Sequence, residues 1–84
     1  MNQRIKILTH RINDIEFIQH IVTDTGFGEI VIHRLENKLG DHLGIPHYNQ
    51  ECHLVTTYQY DGIDSQRTAR NAALRDAIRL YDAA

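Results

Sequence analysis

Histidine is the residue type with the most chemical potential in this sequence. Six are present, at positions 10, 20, 33, 42, 47 and 53. His42, His47 and His53 lie near one another, and the single cysteine, Cys52, adjoins the last. Neutral imidazole and thiolate are good zinc ligands where they converge on one point. The spacing matches no recognised ligand pattern such as C-x-x-C or H-E-x-x-H. Adjacent residues on a strand point to opposite faces, so at most one of Cys52 and His53 can join His42 and His47. The expectation is a protein without a resident cofactor, with zinc at His42, His47 and His53 as the metal chemistry to look for. The histidines could equally make a surface pH-sensitive, since protonating all six moves the formal net charge from −2 to +4.

Nucleophilic catalysis has little to work with. Ser65 is the only serine, and it sits where a helix cap is expected. Cys52 and His53 are neighbours on a predicted strand and cannot form a nucleophile–base pair. Asp61 and Asp64 flank a predicted turn, where aspartate is common anyway. Gly26-Phe27-Gly28 is too short for a phosphate-binding G-x-G-x-x-G loop. No catalytic residue is assigned, and the chain is expected not to be an enzyme.

Arginines mark the last part of the chain. Arg67, Arg70, Arg75 and Arg79 stand against Asp76 and Asp82, which makes residues 65–84 net +2 and the preceding part net −4. The run Ser65-Gln66-Arg67-Thr68-Ala69-Arg70-Asn71-Ala72-Ala73, with Ala77 further on, resembles the last helix of double-stranded RNA-binding domains. That helix opens with a serine, two lysines and an alanine-rich stretch. Arg67, Arg70 and Ser65 stand at the predicted helix start, a place where phosphate contact is expected. The resemblance covers under a quarter of the chain, and Gln66 stands where the family has its first phosphate-contacting lysine. If residues 32–45 were that family's first helix, too few residues would follow for its three strands. Tyr58 and Tyr60 share a face of a predicted strand and, with the four arginines, are the residues expected to meet a partner or nucleic acid.

The elements that must position these residues read as strands followed by a helix. Residues 4–12 are rich in β-branched side chains, with Ile5, Ile7 and Thr9 expected on one face and Leu8, His10 and Ile12 on the other. A two-residue turn at Asn13-Asp14 would set Ile12 opposite Ile15 and Arg11 opposite Glu16. Residues 15–23 favour a second strand, although Asn13 with Glu16 is also a capping-box pattern and Ile15, Ile18 and Val22 have helical spacing. A turn at residues 25–28 leads to a third strand, residues 29–35. Leu35, Leu39 and Leu43 suggest a short helix ending at Gly44. Residues 52–60 form the fourth strand, with Leu54, Thr56, Tyr58 and Tyr60 on one face and His53, Val55, Thr57 and Gln59 on the other. Asp64 or Ser65 caps a helix over residues 66–82, whose apolar stripe is Ala69, Ala73, Ala77 and Leu80.

The fold class that follows is α+β, a single small domain: an antiparallel β-meander of about four strands covered on one face by the C-terminal helix. With 84 residues, one core is all the chain can build. No apolar run exceeds three residues, so no membrane span is expected. The start of the chain resembles no signal peptide and a lone cysteine forms no internal disulfide, which together point to the cytoplasm. Both faces of the first two strands carry large apolar residues, yet one helix covers one face. A homo-oligomer, most simply a dimer, is therefore expected. The functional expectation is a small binding or regulatory protein acting through a protein partner, in the style of phage and mobile-element accessory proteins and inhibitors. A nucleic-acid-binding module using the arginine-bearing helix and a histidine-based metal or ligand binder are the alternatives.

Overall fold

Four strands precede one helix in the computed structural model, which describes residues 2–83. They are β1 (Gln3–Arg11), β2 (Phe17–Asp24), β3 (Glu29–His42) and β4 (Ile45–Gln59), followed by α1 (Ile63–Ala83). Each strand pairs antiparallel with the next, giving the meander β1-β2-β3-β4 expected from sequence. The helix packs across all four strands on one face.

The core is small. Val22, Ile30 and Ile32 are fully buried beneath Ala69, Ala73 and Ala77, the stripe that α1 turns toward the sheet. Alanine at every contact position lets the helix backbone approach closely. Ile5, Leu8, Tyr58, Tyr60, Leu74 and Leu80 close the margins of this contact.

Two bulges revise the expected strand faces. Pairing between β1 and β2 skips at Ile5, between Arg4 and Lys6. The extra residue brings Ile5 onto the core side with Leu8, rather than onto the Ile7 side. In β4 the pairing passes from Thr56 to Leu54, which leaves Val55 as the extra residue. Leu54 is thereby opposite His33 and belongs to the uncovered face, apart from Thr56, Tyr58 and Tyr60.

The turn after β1 also differs from expectation. Arg11 pairs with Phe17 rather than with Glu16, so the connection is a longer loop. Asn13 organises it: its Oδ1 accepts from the backbone N–H groups of Ile15 and Glu16, and its Nδ2 donates to Glu16 Oε1. Only half of the capping-box pattern forms: Asn13 Oδ1 takes the Glu16 N–H, while the Asn13 N–H goes to the Glu16 backbone carbonyl rather than to its side chain. It closes one turn of loop, and the β-branched residues that follow continue as strand.

No helix forms at residues 35–44. β3 runs through this region to His42 and pairs residue by residue with β4. A spacing of four fits an alternating strand as well as a helix, since Leu35 and Leu39 fall on the same face either way. The β3–β4 hairpin consequently outreaches the rest of the sheet, and the molecule is elongated, 53 × 25 × 15 Å. Its last pairs, from Lys38↔Asn49 to His42↔Ile45, form a two-stranded arm with a tip at Leu43-Gly44. Both tip residues have positive φ, 53° and 80°, which is costly for leucine. The element order, four strands and then a helix, limits the likeness to double-stranded RNA-binding domains to α1 alone.

The helix begins at Ile63, earlier than Asp64 or Ser65 could cap it. Ser65 Oγ instead reaches back to accept from the backbone N–H of Asp61 at 2.9 Å. Because Ala73 has no exposed surface, enlarging it must push the helix off the sheet. Ala73→Leu should destabilise the fold by about 1–3 kcal/mol in chemical denaturation, whereas Asn71→Leu on the exposed side should change stability little.

Candidate functional site

The face opposite α1 has no covering element. Its rows follow from the strand register: Ile7, Ile21, His33 and Leu54 stand side by side, and Thr9, Gln19, Leu35 and Cys52 form the next row. Further along lie Arg11, Phe17, Asn37 and Gln50, and then Leu39 and Tyr48 at the root of the arm. Ile7, Leu39, Tyr48 and Leu54 are exposed large side chains within this strip. At the tip, Leu43 is 89% and Ile45 67% exposed. The loop after β1 braces the arm root, where the Asn37 amide and the Tyr48 hydroxyl both donate to Ile15 O.

The histidines are divided. His42 and His47 approach each other on the arm, with ring centroids 6.1 Å apart. His53 lies six residues beyond His47 on β4, which is about 20 Å for an extended strand, and its Nε2 sits 3.4 Å from Glu51 Oε2. Among the described residues no three His, Cys, Asp or Glu side chains converge as a metal would require. Cys52 is exposed and faces away from the helix, beside Leu35.

The arginines are divided too. Arg75 and Arg79 both approach Asp76, at 3.1 and 3.9 Å, and this carboxylate also accepts the Tyr58 hydroxyl. Hydrogen bonds from Arg75 and Tyr58 hold the Asp76 carboxyl below its ordinary range. Burial and the neighbouring Asp76 push the Tyr58 phenol up to about 12. Arg67 and Arg70 lie at the other end of the helix and make no ion pair among the described residues. Tyr58 and Tyr60 lie under the helix rather than on the uncovered face, with their hydroxyls bonded to Asp76 and Asp24.

Asp24, which composition and motif did not single out, ties three elements together. It accepts from Gly26 N at 2.9 Å, Tyr60 Oη at 2.7 Å and Gln66 Nε2 at 2.8 Å. Burial raises its pKa, but these hydrogen bonds and Arg70 outweigh burial and hold the carboxyl below its usual value. Asp24→Ala leaves Tyr60 and Gln66 without their acceptor and should cost about 2–3 kcal/mol in denaturant unfolding.

A buried histidine lies beside the half-exposed Arg34, which is ion-paired with Glu36 at 2.8 Å. His20, 3% exposed, stands opposite Arg34 beneath the end of the helix, and His20 Nδ1 and Arg34 Nε are buried without hydrogen-bond partners. Its alternation with Val22 and Asp24 was the available signal that it faces inward. Burial, then Arg34, lowers the His20 pKa, so the folded state holds a neutral imidazole. The unfolded chain takes up this proton first as pH falls. Stability from His20 is complete above about pH 6.5 and declines as pH drops from there toward the folded value. In thermal melts, His20→Gln should flatten the loss of Tm between neutral and mildly acidic pH.

Two shallow grooves flank the second half of α1. One, about 380 Å³, lies among Val55, Thr56, Tyr58, Asp76, Arg79 and Leu80. The other, about 300 Å³, lies over His20 and Arg34. No helix among the described residues is long and apolar enough to cross a membrane. Fold and surface together define a small α+β protein with a half-covered meander and a projecting arm. Comparison with models of known families, with curated proteins and with solved structures found no match.

Proposed function

We propose that this chain is a non-enzymatic binding protein that acts through a protein partner, seated on the uncovered sheet face and the β3–β4 arm. One observation carries the reading: Ile7, Leu54, Leu39 and Tyr48 are exposed apolar residues on the uncovered face, and the arm beyond them ends in exposed Leu43, with Ile45 on its other face. Threonine, glutamine and asparagine separate these residues, the mixture of apolar contact and neutral polarity typical of protein interfaces. A two-stranded ribbon is barely stable alone in water, and this one ends in an exposed leucine with strained backbone. Such a feature gains most from a surface to dock on. Small accessory proteins of phages and mobile elements, inhibitors among them, act by this kind of occupation, and a regulatory role fits.

The strip carries too little positive charge to favour nucleic acid. Arg75 and Arg79, which could have supplied it elsewhere, are tied to Asp76. The test is affinity capture followed by identification of bound proteins, run in parallel with Leu39→Glu and Leu54→Lys. Both positions are exposed, so both variants should melt like wild type. A protein retained by wild type and lost from both variants is the expected outcome. Capture unchanged in both would overturn the proposal, as would salt-sensitive retention of nucleic acid that depends on Arg67 and Arg70.

A further inference from the structure

We propose that two copies of the chain pair edge to edge through β4, antiparallel about a two-fold axis at Cys52, forming one eight-stranded sheet. The strand order leaves two open edges, β1 and β4. An open edge presents unpaired backbone N–H and C=O groups, and proteins usually blunt it with charge or a bulge. β1 is blunted in both ways, since it carries Arg4, Lys6 and Arg11 and bulges at Ile5. β4 contains no lysine or arginine, and its own blunting features, Pro46 and the bulge at Val55, leave the stretch between them open. Residues 45–55 are all exposed. Outside the β3 ladder, no turn or loop among the described residues hydrogen-bonds to the backbone of residues 45–57.

Charge and Pro46 together select the register. A two-fold axis normal to the sheet keeps each residue on its own face, so the residue on the axis meets its own copy. With Glu51 on the axis two carboxylates would oppose each other, and with His53 two imidazoles would. With Gln50 on the axis, His53 meets His47 and Glu51 meets Asn49. With Asn49 on the axis, Glu51 meets His47, but Pro46, which has no N–H to donate, falls opposite Cys52 within the ladder. With Cys52 on the axis, Glu51 of each copy lies opposite His53 of the other.

That arrangement extends pairing already present inside each copy. Glu36 stands opposite Glu51 across the β3–β4 ladder but is held by Arg34 and Lys38, and Glu51 lies 3.4 Å from His53 of its own strand. Pairing at the Cys52 register adds a second imidazole beside each Glu51 and a second carboxylate beside each His53. Residues 50–54 then form an uninterrupted ladder. It ends where the Val55 bulge meets Asn49 of the other copy, and Pro46 lies outside it. With β4 consumed and β1 blunted, association closes at a dimer. Both helices lie on one side, and the two uncovered faces become continuous.

Cys52 is the reporter. Directly opposed residues in antiparallel strands have Cα atoms about 4.5–5.5 Å apart, within the range a disulfide spans. Light scattering of the reduced full chain at micromolar concentration should give a dimer mass, and mild oxidation should link the two copies through Cys52. Glu51→Lys should weaken the dimer by about tenfold or more, and adding His53→Glu should restore it. Both positions are exposed, and circular dichroism checks that each variant is folded. A monomer mass for the reduced wild type would overturn the proposal. So would a dimer in which Cys52 stays unlinked while Ile7→Cys, in a Cys52→Ser background, cross-links readily, because that result places the contact on the sheet face. Loss of the protein partner in the capture experiment would leave this dimer intact, so the two proposals fail separately.

Discussion

Everything in this molecule depends on one contact, the alanine stripe of α1 against Val22, Ile30 and Ile32. Alanine permits close approach but contributes little apolar area of its own. The tight fit therefore removes those three β-branched side chains from water completely while leaving the margins to half-buried residues. A helix is about 10 Å across with its side chains. Four strands at roughly 4.8 Å spacing are nearly twice as wide. The single helix can thus seal only the middle of one face, and it leaves a bare second face and a hairpin that outruns it.

Polar contacts take over where apolar area runs out. Asp24 fastens the first turn of the helix to the β2–β3 turn and to the end of β4, through Gln66, Gly26 and Tyr60. Asp76 does the same further along, through Tyr58 and two arginines. Both carboxylates sit below their ordinary range, so their support is present above the unfolded carboxylate pKa and is lost as acid protonates them. His20 weakens at milder acidity by the opposite route, because its buried imidazole resists the charge that the unfolded chain accepts. These side chains hold the helix in place. That commitment occupies both tyrosine hydroxyls, while Arg75 and Arg79 stay largely exposed on the helix.

The surfaces left free are of two kinds, and they suit different partners. The uncovered face offers side chains, an apolar and neutral strip with an arm at one end. The β4 edge offers backbone, with a charge pattern that is complementary to itself at the Cys52 register, where Pro46 stays outside the ladder. Pairing through the edge would leave the face open and double its extent. A protein partner and a second copy therefore need not compete for the same atoms.

Alternation of β-branched residues, the glycines of the β2–β3 turn and the alanine periodicity at Ala69, Ala73 and Ala77 were enough to read the fold class, the meander and the closing helix. These are local signals, carried by steric preference and by side-chain period. Three features were beyond their reach. The bulges at Ile5 and Val55 change which face Ile5 and Leu54 occupy, and a bulge is set by the register of the neighbouring strand. The leucines at 35, 39 and 43 fit a helix or a strand equally, and only the ladder with β4 decided for strand. The convergence of Gly26, Tyr60 and Gln66 on Asp24, and the separation of His53 from His42 and His47, depend on how the strands align in space. Local preference determined the type of every segment except residues 35–51, and long-range pairing decided that stretch and which side chains meet.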